Sequence, residues 1–189
     1  MGDEKKVKDI MVPIEEYHTI DQNAELRVAM NIVKKDNDDL KAGKISSFHK
    51  TLFVTGENGK IVGKLSMHDF VQGLIPEQAK APELSRAYYS VLSSRAMEVE
   101  EEIRDFQQRF EWLHHGFLEL VKQAAGKKVR DVMSPVHPVL KEEDSINHAI
   151  YAMFKEKIRR PLVIRNGQIV GVVDSIHIFN EFIELVGFE

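Results

Sequence analysis

The chain repeats itself. Lys5-Lys6-Val7-Lys8-Asp9-Ile10-Met11-Val12-Pro13 returns as Lys127-Lys128-Val129-Arg130-Asp131-Val132-Met133-Ser134-Pro135. Leu26, Ala29, Met30 and Val33 share the i, i+3, i+4, i+7 spacing of Ile146, Ala149, Ile150 and Met153, one apolar helix face written twice. Gly59-Lys60-Ile61-Val62-Gly63 then returns as Gly167-Gln168-Ile169-Val170-Gly171. A fold built twice from one chain is a tight constraint. Each copy is ~60 residues, a size that buries only about 60% of its surface and is marginal alone, so the copies are expected to pack on each other.

Both copies read β-α-β-β-α behind a basic lead-in, which places the chain in the α+β class. In the first copy the alternation predicts strands near 18–20, 51–55 and 60–65, with the hairpin turned by Gly56-Glu57-Asn58-Gly59. In the second, strands over 161–165 and 168–174 pair around Asn166-Gly167, a strong two-residue turn signal. Helices over 67–74 and 175–186 close the copies, carrying the apolar pairs Phe70/Val71 and Ile178/Phe179. The first copy has surplus residues after its helix, and the polar, Asp-rich stretch 36–49 reads as an extended loop.

The Val-Lys-Asp-Ile-Met and Val-Arg-Asp-Val-Met lead-ins, the Arg160-Pro161-Leu162-Val163 strand and the Gly63-to-Asp69 run resemble a tandem cystathionine-β-synthase (CBS) domain pair, also called a Bateman module. The resemblance covers residues 5–76 and 127–187. It implies two β-α-β-β-α motifs packed as a pseudo-twofold pair with clefts between them, often dimerised, binding adenine nucleotides and regulating a partner. The implied boundaries are 1–80 for the first CBS motif, 81–126 for a long α-helical insertion and 127–189 for the second motif.

Gly63-Lys64-Leu65-Ser66-Met67-His68-Asp69 runs from a strand end into a helix start, where free N–H groups and the helix dipole favour an anion. Ser66 can give its hydroxyl to a phosphate, and Asp69 can accept two hydrogen bonds from a ribose diol. Gly63, with no Cβ, lets a ligand or a neighbouring backbone approach. The spacing is similar to the family's nucleotide motif, in which the hydroxyl residue meets phosphate and the Asp meets ribose. The same Ser-x-x-acid pattern is also a capping box, which needs no ligand.

The second copy departs from this pattern. Its run is Gly171-Val172-Val173-Asp174-Ser175-Ile176-His177, with Asp174 in place of the serine and His177 in place of the aspartate. A carboxylate repels a phosphate, and a neutral imidazole cannot accept a diol. One ligand site per chain is therefore expected, centred on Ser66 and Asp69, with Asp174 acting as a helix N-cap. Arg159 and Arg160, before a strand expected to face the cleft, suit a phosphate, or else are a solvated strand entry. His49 and Lys50 hold the matching place in the first copy. His18 and Thr19, in the first strand, would bring backbone to an adenine edge in such folds. Met11 and Met133 are expected to fill core gaps.

Residues 81–126 read as helix. Val99, Ile103, Phe106, Phe110, Leu113, Phe117 and Leu120 keep a seven-residue repeat. Such a stripe predicts either pairing with a second chain in a homodimer or a break at His114-His115-Gly116 and folding back. The heptad phase runs through that spot and favours an unbroken, paired helix.

Composition narrows the function. The chain has 189 residues, a formal net charge of −4 and no cysteine. Disulfides, thiol nucleophiles and Cys-ligated metals are excluded, no basic footprint marks nucleic-acid binding, and no apolar run is long enough for a membrane helix. The cytoplasm is the expected location. No catalytic motif is present and the eight histidines are scattered, so no enzyme, catalytic cofactor or metal site is expected. The leading expectation is a regulatory sensor of an adenosine-containing ligand (AMP, ADP, ATP or S-adenosylmethionine) that signals to a regulated protein. The alternative is a ligand-independent dimerisation module with a degenerate site.

Overall fold

The computed structural model describes residues 5–76 and 111–186. The first half contributes α1 (Val7–Ile10), β1 (Val12–Pro13), β2 (Thr19–Asp21), α2 (Leu26–Lys41), β3 (Thr51–Thr55), β4 (Ile61–Ser66) and α3 (Met67–Gly73). After α4 (Phe117–Ala125) and a 3-10 turn (Val129–Asp131), the second half repeats the order. It consists of β5 (Ser134–Pro135), β6 (Pro138–Lys141), α5 (Ile146–Lys155), β7 (Leu162–Arg165), β8 (Gln168–Val172) and α6 (Ser175–Leu185). Two four-stranded sheets result, in the orders β2-β3-β4-β5 and β1-β8-β7-β6. The α+β reading holds, with parallel β2/β3 and β6/β7 pairs and antiparallel hairpins beside them.

Each sheet borrows its last strand from the other copy. β1 pairs with β8, Val12 opposite Val172, and β5 pairs with β4, Ser134 opposite Lys64. The lead-ins plug the opposite cores as well. Val129 and Val132 are buried among Leu26, Ala29, Leu52, Val54 and Leu65, while Val7 and Ile10 are buried among Leu140, Ala149, Val163 and Val173. Backbone bonds fix the exchange: Leu26 N–H donates to the Lys127 carbonyl, Val129 N–H to Ala24, and Val7 N–H to Asp144. The repeated lead-in is therefore the element that locks one copy to the other. Its methionines sit on glycines of the other copy's hairpin, Met133 on Gly63 and Met11 on Gly171, in space that a Cβ would need.

Strand side chains alternate between two buried faces. On β3, Leu52 and Val54 meet the helices, while Phe53 joins Tyr17, Leu162 and Val172 between the sheets. Burial on both sides explains the unbroken apolar run of Leu52-Phe53-Val54. The turns behave as their residues require: Asn166 and Gly167 both have positive φ (52° and 77°), the signature of a two-residue type I′ hairpin.

Two expectations are corrected. The stretch 36–49 is not loop throughout, because α2 continues to Lys41. Gly43 (φ 69°) then ends it in a Schellman motif, with Gly43 N–H on the Leu40 carbonyl and Lys44 N–H on Asp39. Lys34 neutralises Asp38 one turn away at 2.6 Å, which offsets the poor helix propensity of the acidic run.

The unbroken helix through 81–126 also fails within the described residues. A 3-10 turn, Glu111–His114, stops at His115, and α4 starts afresh after Gly116, whose backbone is extended (φ −63°, ψ 143°). Leu120 and Ala124 are then buried, Ala124 in the first copy's core, while Phe117 and Leu118 stay exposed. The rest of the proposed helix lies outside the described residues. No helix among the described residues is long and apolar enough to cross a membrane.

Candidate functional site

Ser66 ends β4 and caps α3. Its hydroxyl accepts from Asp69 N–H at 3.4 Å, and Asp69 Oδ2 accepts from both the Ser66 N–H and the Ser66 hydroxyl at 2.6 Å. The capping box is therefore complete. The second carboxylate oxygen accepts from the hydroxyl of Ser134, which β5 carries in from the other copy. Asp69 is 1% exposed, one of the few buried polar side chains among the described residues. A buried carboxylate needs such donors, and here they come from both copies.

The matching position of the second copy is built from different chemistry. Asp174 caps α6, and its carboxylate accepts from Ile176 N–H at 3.3 Å, the Ser175 hydroxyl at 3.2 Å and Arg160 Nε at 2.6 Å. Burial alone would push the Asp174 carboxyl up. The Ile176 N–H, the Arg160 charge and these hydrogen bonds outweigh it and hold the group below its ordinary value. His177 stands where Asp69 stands in the first copy, its Nδ1 accepting from Asp174 N–H at 3.4 Å. Arg160 also extends Nη1 to Thr51 Oγ1 at 3.4 Å, bridging to the first copy.

Aromatic groups adjoin this cap. Tyr17 stacks on His49 with ring centroids 4.1 Å apart and meets Phe53 edge-on at 5.1 Å. Burial pushes the Tyr17 phenol up to about 12, with nearby Arg160 opposing the rise. Burial also lowers the His49 imidazole; Glu16 opposes this, while Arg160 and His177 reinforce it.

Of the residues singled out from the sequence, Ser66 and Asp69 are brought together. The open space expected over Gly63 is taken by Met133 Sδ and the Ser134 carbonyl, the close approach of a neighbouring chain segment. Arg160 is drawn to Asp174, and Arg159 is exposed beside it. The His18 imidazole lies 3.1 Å from Asp36, and its carbonyl accepts from Phe53 N–H. Thr19 stands opposite Phe53 in the β2/β3 register, and Lys50 lies over the Phe48 ring at 5.9 Å.

Sequence reasoning missed Ser134. The signal was present as a difference between the copies: the lead-in residue is Val12 in one and Ser134 in the other, and the third residue of the closing helix is His177 in one and Asp69 in the other.

Comparison with known proteins agrees with this architecture. The CBS domain family model matches residues 129–184. An uncharacterized protein of Methanocaldococcus jannaschii, MJ1426, is 28% identical over 165 residues, covering 80% of this chain and 88% of its own. The crystal structure of CBSX2 in complex with AMP superposes with a TM-score of 0.53 at 17% identity, over 95% of this chain and 97% of that one. A CBS domain-containing protein of unknown function from Bacillus anthracis superposes with a TM-score of 0.56 at 17% identity, over 95% and 94%. At such identities the likeness is one of fold.

Proposed function

We propose that this chain, a tandem CBS pair by its fold and by the domain matched over 129–184, is a regulatory ligand sensor rather than an enzyme. It takes one adenosine-containing nucleotide in the cleft beside Ser66 and Asp69 and passes the bound state to a regulated protein. The observation that carries this reading is the Asp69–Ser134 hydrogen bond. A ribose hydroxyl that competes for the buried carboxylate displaces a group of the other copy, so occupancy of the cleft is felt by both halves. A ligand shifts a conformational equilibrium only through such differential contacts.

AMP, ADP, ATP and S-adenosylmethionine all present the required diol, and the AMP held by the similarly folded CBSX2 makes AMP the first ligand to try. Arg159 and Lys50, both exposed, are the cations assigned to its phosphate, and His18 and Thr19 bring the β2 backbone to the adenine edge. The domain boundaries 1–80, 81–126 and 127–189 and a cytoplasmic location belong to the same reading.

A second reading, a ligand-independent dimerisation module, is favoured by the full occupancy of the Asp69 oxygens and by the exposed apolar faces of α5 and α6. Phe154 is 81% exposed, and Ile176, Phe179, Phe182 and Ile183 stand out along α6. A second copy is the partner for these faces in either reading, since patches of this kind mark interfaces. Sedimentation is expected to show a dimer at tens of micromolar; a monomer there removes the homodimer.

Thermal melting with AMP, ADP, ATP, S-adenosylmethionine and NAD separates the two readings. One site at 100 times Kd adds about 2.7 kcal/mol, a rise in Tm of about 5 to 11 °C for a chain of this size. Ser66→Ala and Asp69→Asn are expected to abolish the rise. No rise with any of the five ligands, or a rise unchanged in Asp69→Asn, overturns the sensor.

A further inference from the structure

We infer that Lys127 is a positioning residue that carries the state of the Asp69 cap out of the cleft, by tying the far end of α3 to α4. The Lys127 ammonium donates to the carbonyls of Gly73 and Ile75, at 2.6 and 3.1 Å, where α3 ends. Its backbone N–H donates to the Ala124 carbonyl at 3.0 Å, where α4 ends. One residue thus closes two helices. The last carbonyls of a helix carry partial negative charge, and an ammonium suits them. Between the two helices runs a groove, to which α3 and its end contribute Phe70, Val71 and Leu74 and α4 contributes Val121 and Ala125.

The second lead-in holds α3 at both ends. Lys127 takes the C-terminal carbonyls, Val132 fills the space that a Cβ on Gly73 would need, and Ser134 donates to the Asp69 carboxylate. These holds are unequal. At the cap the link to α3 is one hydroxyl, the kind of group a ribose diol competes with. At the other end it is two charge-assisted hydrogen bonds beside a glycine packed on Val132. A ligand that displaces Ser134 frees the cap end of α3 while Lys127 keeps the other. The helix then turns about its C-terminal end, the carbonyls that Lys127 holds turn with it, and α4, closed by the same residue, follows.

The repeat shows what is particular to this lysine. Lys5 matches Lys127, yet its ammonium meets the Glu181 and Glu184 side chains of α6. A carboxylate follows an ammonium by rotating its own side-chain bonds, whereas a carbonyl moves only with its helix. α4 also presents the exposed Phe117 and Leu118, and it begins shortly after Trp112, the one tryptophan of the chain. The trigger rests on the nucleotide reading, but the route does not.

Trp112 emission in the full-length chain tests the route. Lys127→Met keeps the apolar stem and removes the donors, and Lys127→Arg keeps a cation with donors. AMP is expected to shift the emission of wild type and of Lys127→Arg. Lys127→Met is expected to keep the AMP-induced rise in Tm and to lose most of the emission shift. Lys127→Gln, a neutral donor, is expected to lose part of it and stands in if Lys127→Met unfolds. Without any ligand, Asp69→Asn weakens the bond to Ser134; it is expected to change the emission in the wild-type background and not in the Lys127→Met background. An emission change that survives Lys127→Met, whether from AMP or from Asp69→Asn, overturns the inference, and so does the absence of both changes from wild type. Failure of all five nucleotides to raise the Tm of wild type removes the nucleotide reading alone, because Asp69→Asn still decides the route.

Discussion

The two helix caps occupy the same place in the two copies and hold charge in opposite ways. In the first, the carboxylate sits three residues into the helix on Asp69, is buried, and is satisfied by neutral hydroxyls and a backbone N–H, one hydroxyl coming from the other copy. In the second, it sits on the cap residue itself, Asp174, is partly exposed, and is satisfied by a guanidinium. Moving one acidic residue by three positions turns a buried acceptor bonded to both copies into a partly exposed ion pair. The scaffold around both caps is the same, with a methionine from the opposite lead-in seated on the hairpin glycine in each.

The frame sets the largest effect. Because each lead-in is buried in the other copy's core, the copies are expected to unfold together, even though their caps differ. Leu140→Ala, at a side chain 1% exposed in the second core, is expected to cost about 2–5 kcal/mol. Amide protection of β3 in the first copy is expected to fall as far as that of β7. Loss confined to β7 would break the comparison at its base by showing two independent halves.

Much of this frame is legible in the residues. The repeat, the order of elements, the Asn166-Gly167 turn and the Ser66/Asp69 capping box are local signals, and each has a local physical cause. What is not legible is non-local. Nothing in the period of Val129-Arg130-Asp131-Val132-Met133 says which sheet edge its strand will join, since alternation fixes a strand's faces but not its neighbour. Arg160 read as a phosphate ligand because its competitor, Asp174, lies across a hairpin in the sequence. The break at His114-His115-Gly116 was one of two alternatives and was outweighed by a heptad phase that Leu113 and Phe117 continue formally, although both are exposed. The Schellman end of α2 was readable from Lys41-Ala42-Gly43 but was masked by the acidic run before it.

An intermediate effect sharpens the contrast between the caps. Asp69→Ala leaves the Ser66 and Ser134 hydroxyls and the Ser66 N–H without their shared acceptor, in a part-buried site. It is expected to destabilise the chain by about 1–3 kcal/mol. His177→Ala removes a single acceptor at 3.4 Å from a half-buried site and is expected to cost about 1 kcal/mol or less. Chemical denaturation of the two variants measures the difference. Equal losses would mean that the inter-copy bond to Ser134 adds nothing beyond an ordinary cap.

The smallest effect is in pH. Asp174 is held below its ordinary value in the folded chain, while in the unfolded chain it titrates near 3.9, so the unfolded state binds more protons between the two values. Its contribution is therefore fully present above about pH 4 and is lost as the pH falls through the lower folded value. Arg160 is about half exposed, and a pair so open to solvent is worth only about 0.2–1 kcal/mol. Asp174→Asn is accordingly expected to be slightly less stable than wild type at pH 7 and to converge with it as the pH falls through the lowered folded value of Asp174. Stability curves from pH 2 to 7 read this directly. A constant gap between them would show that Asp174 acts through its shape as a cap and not through its charge.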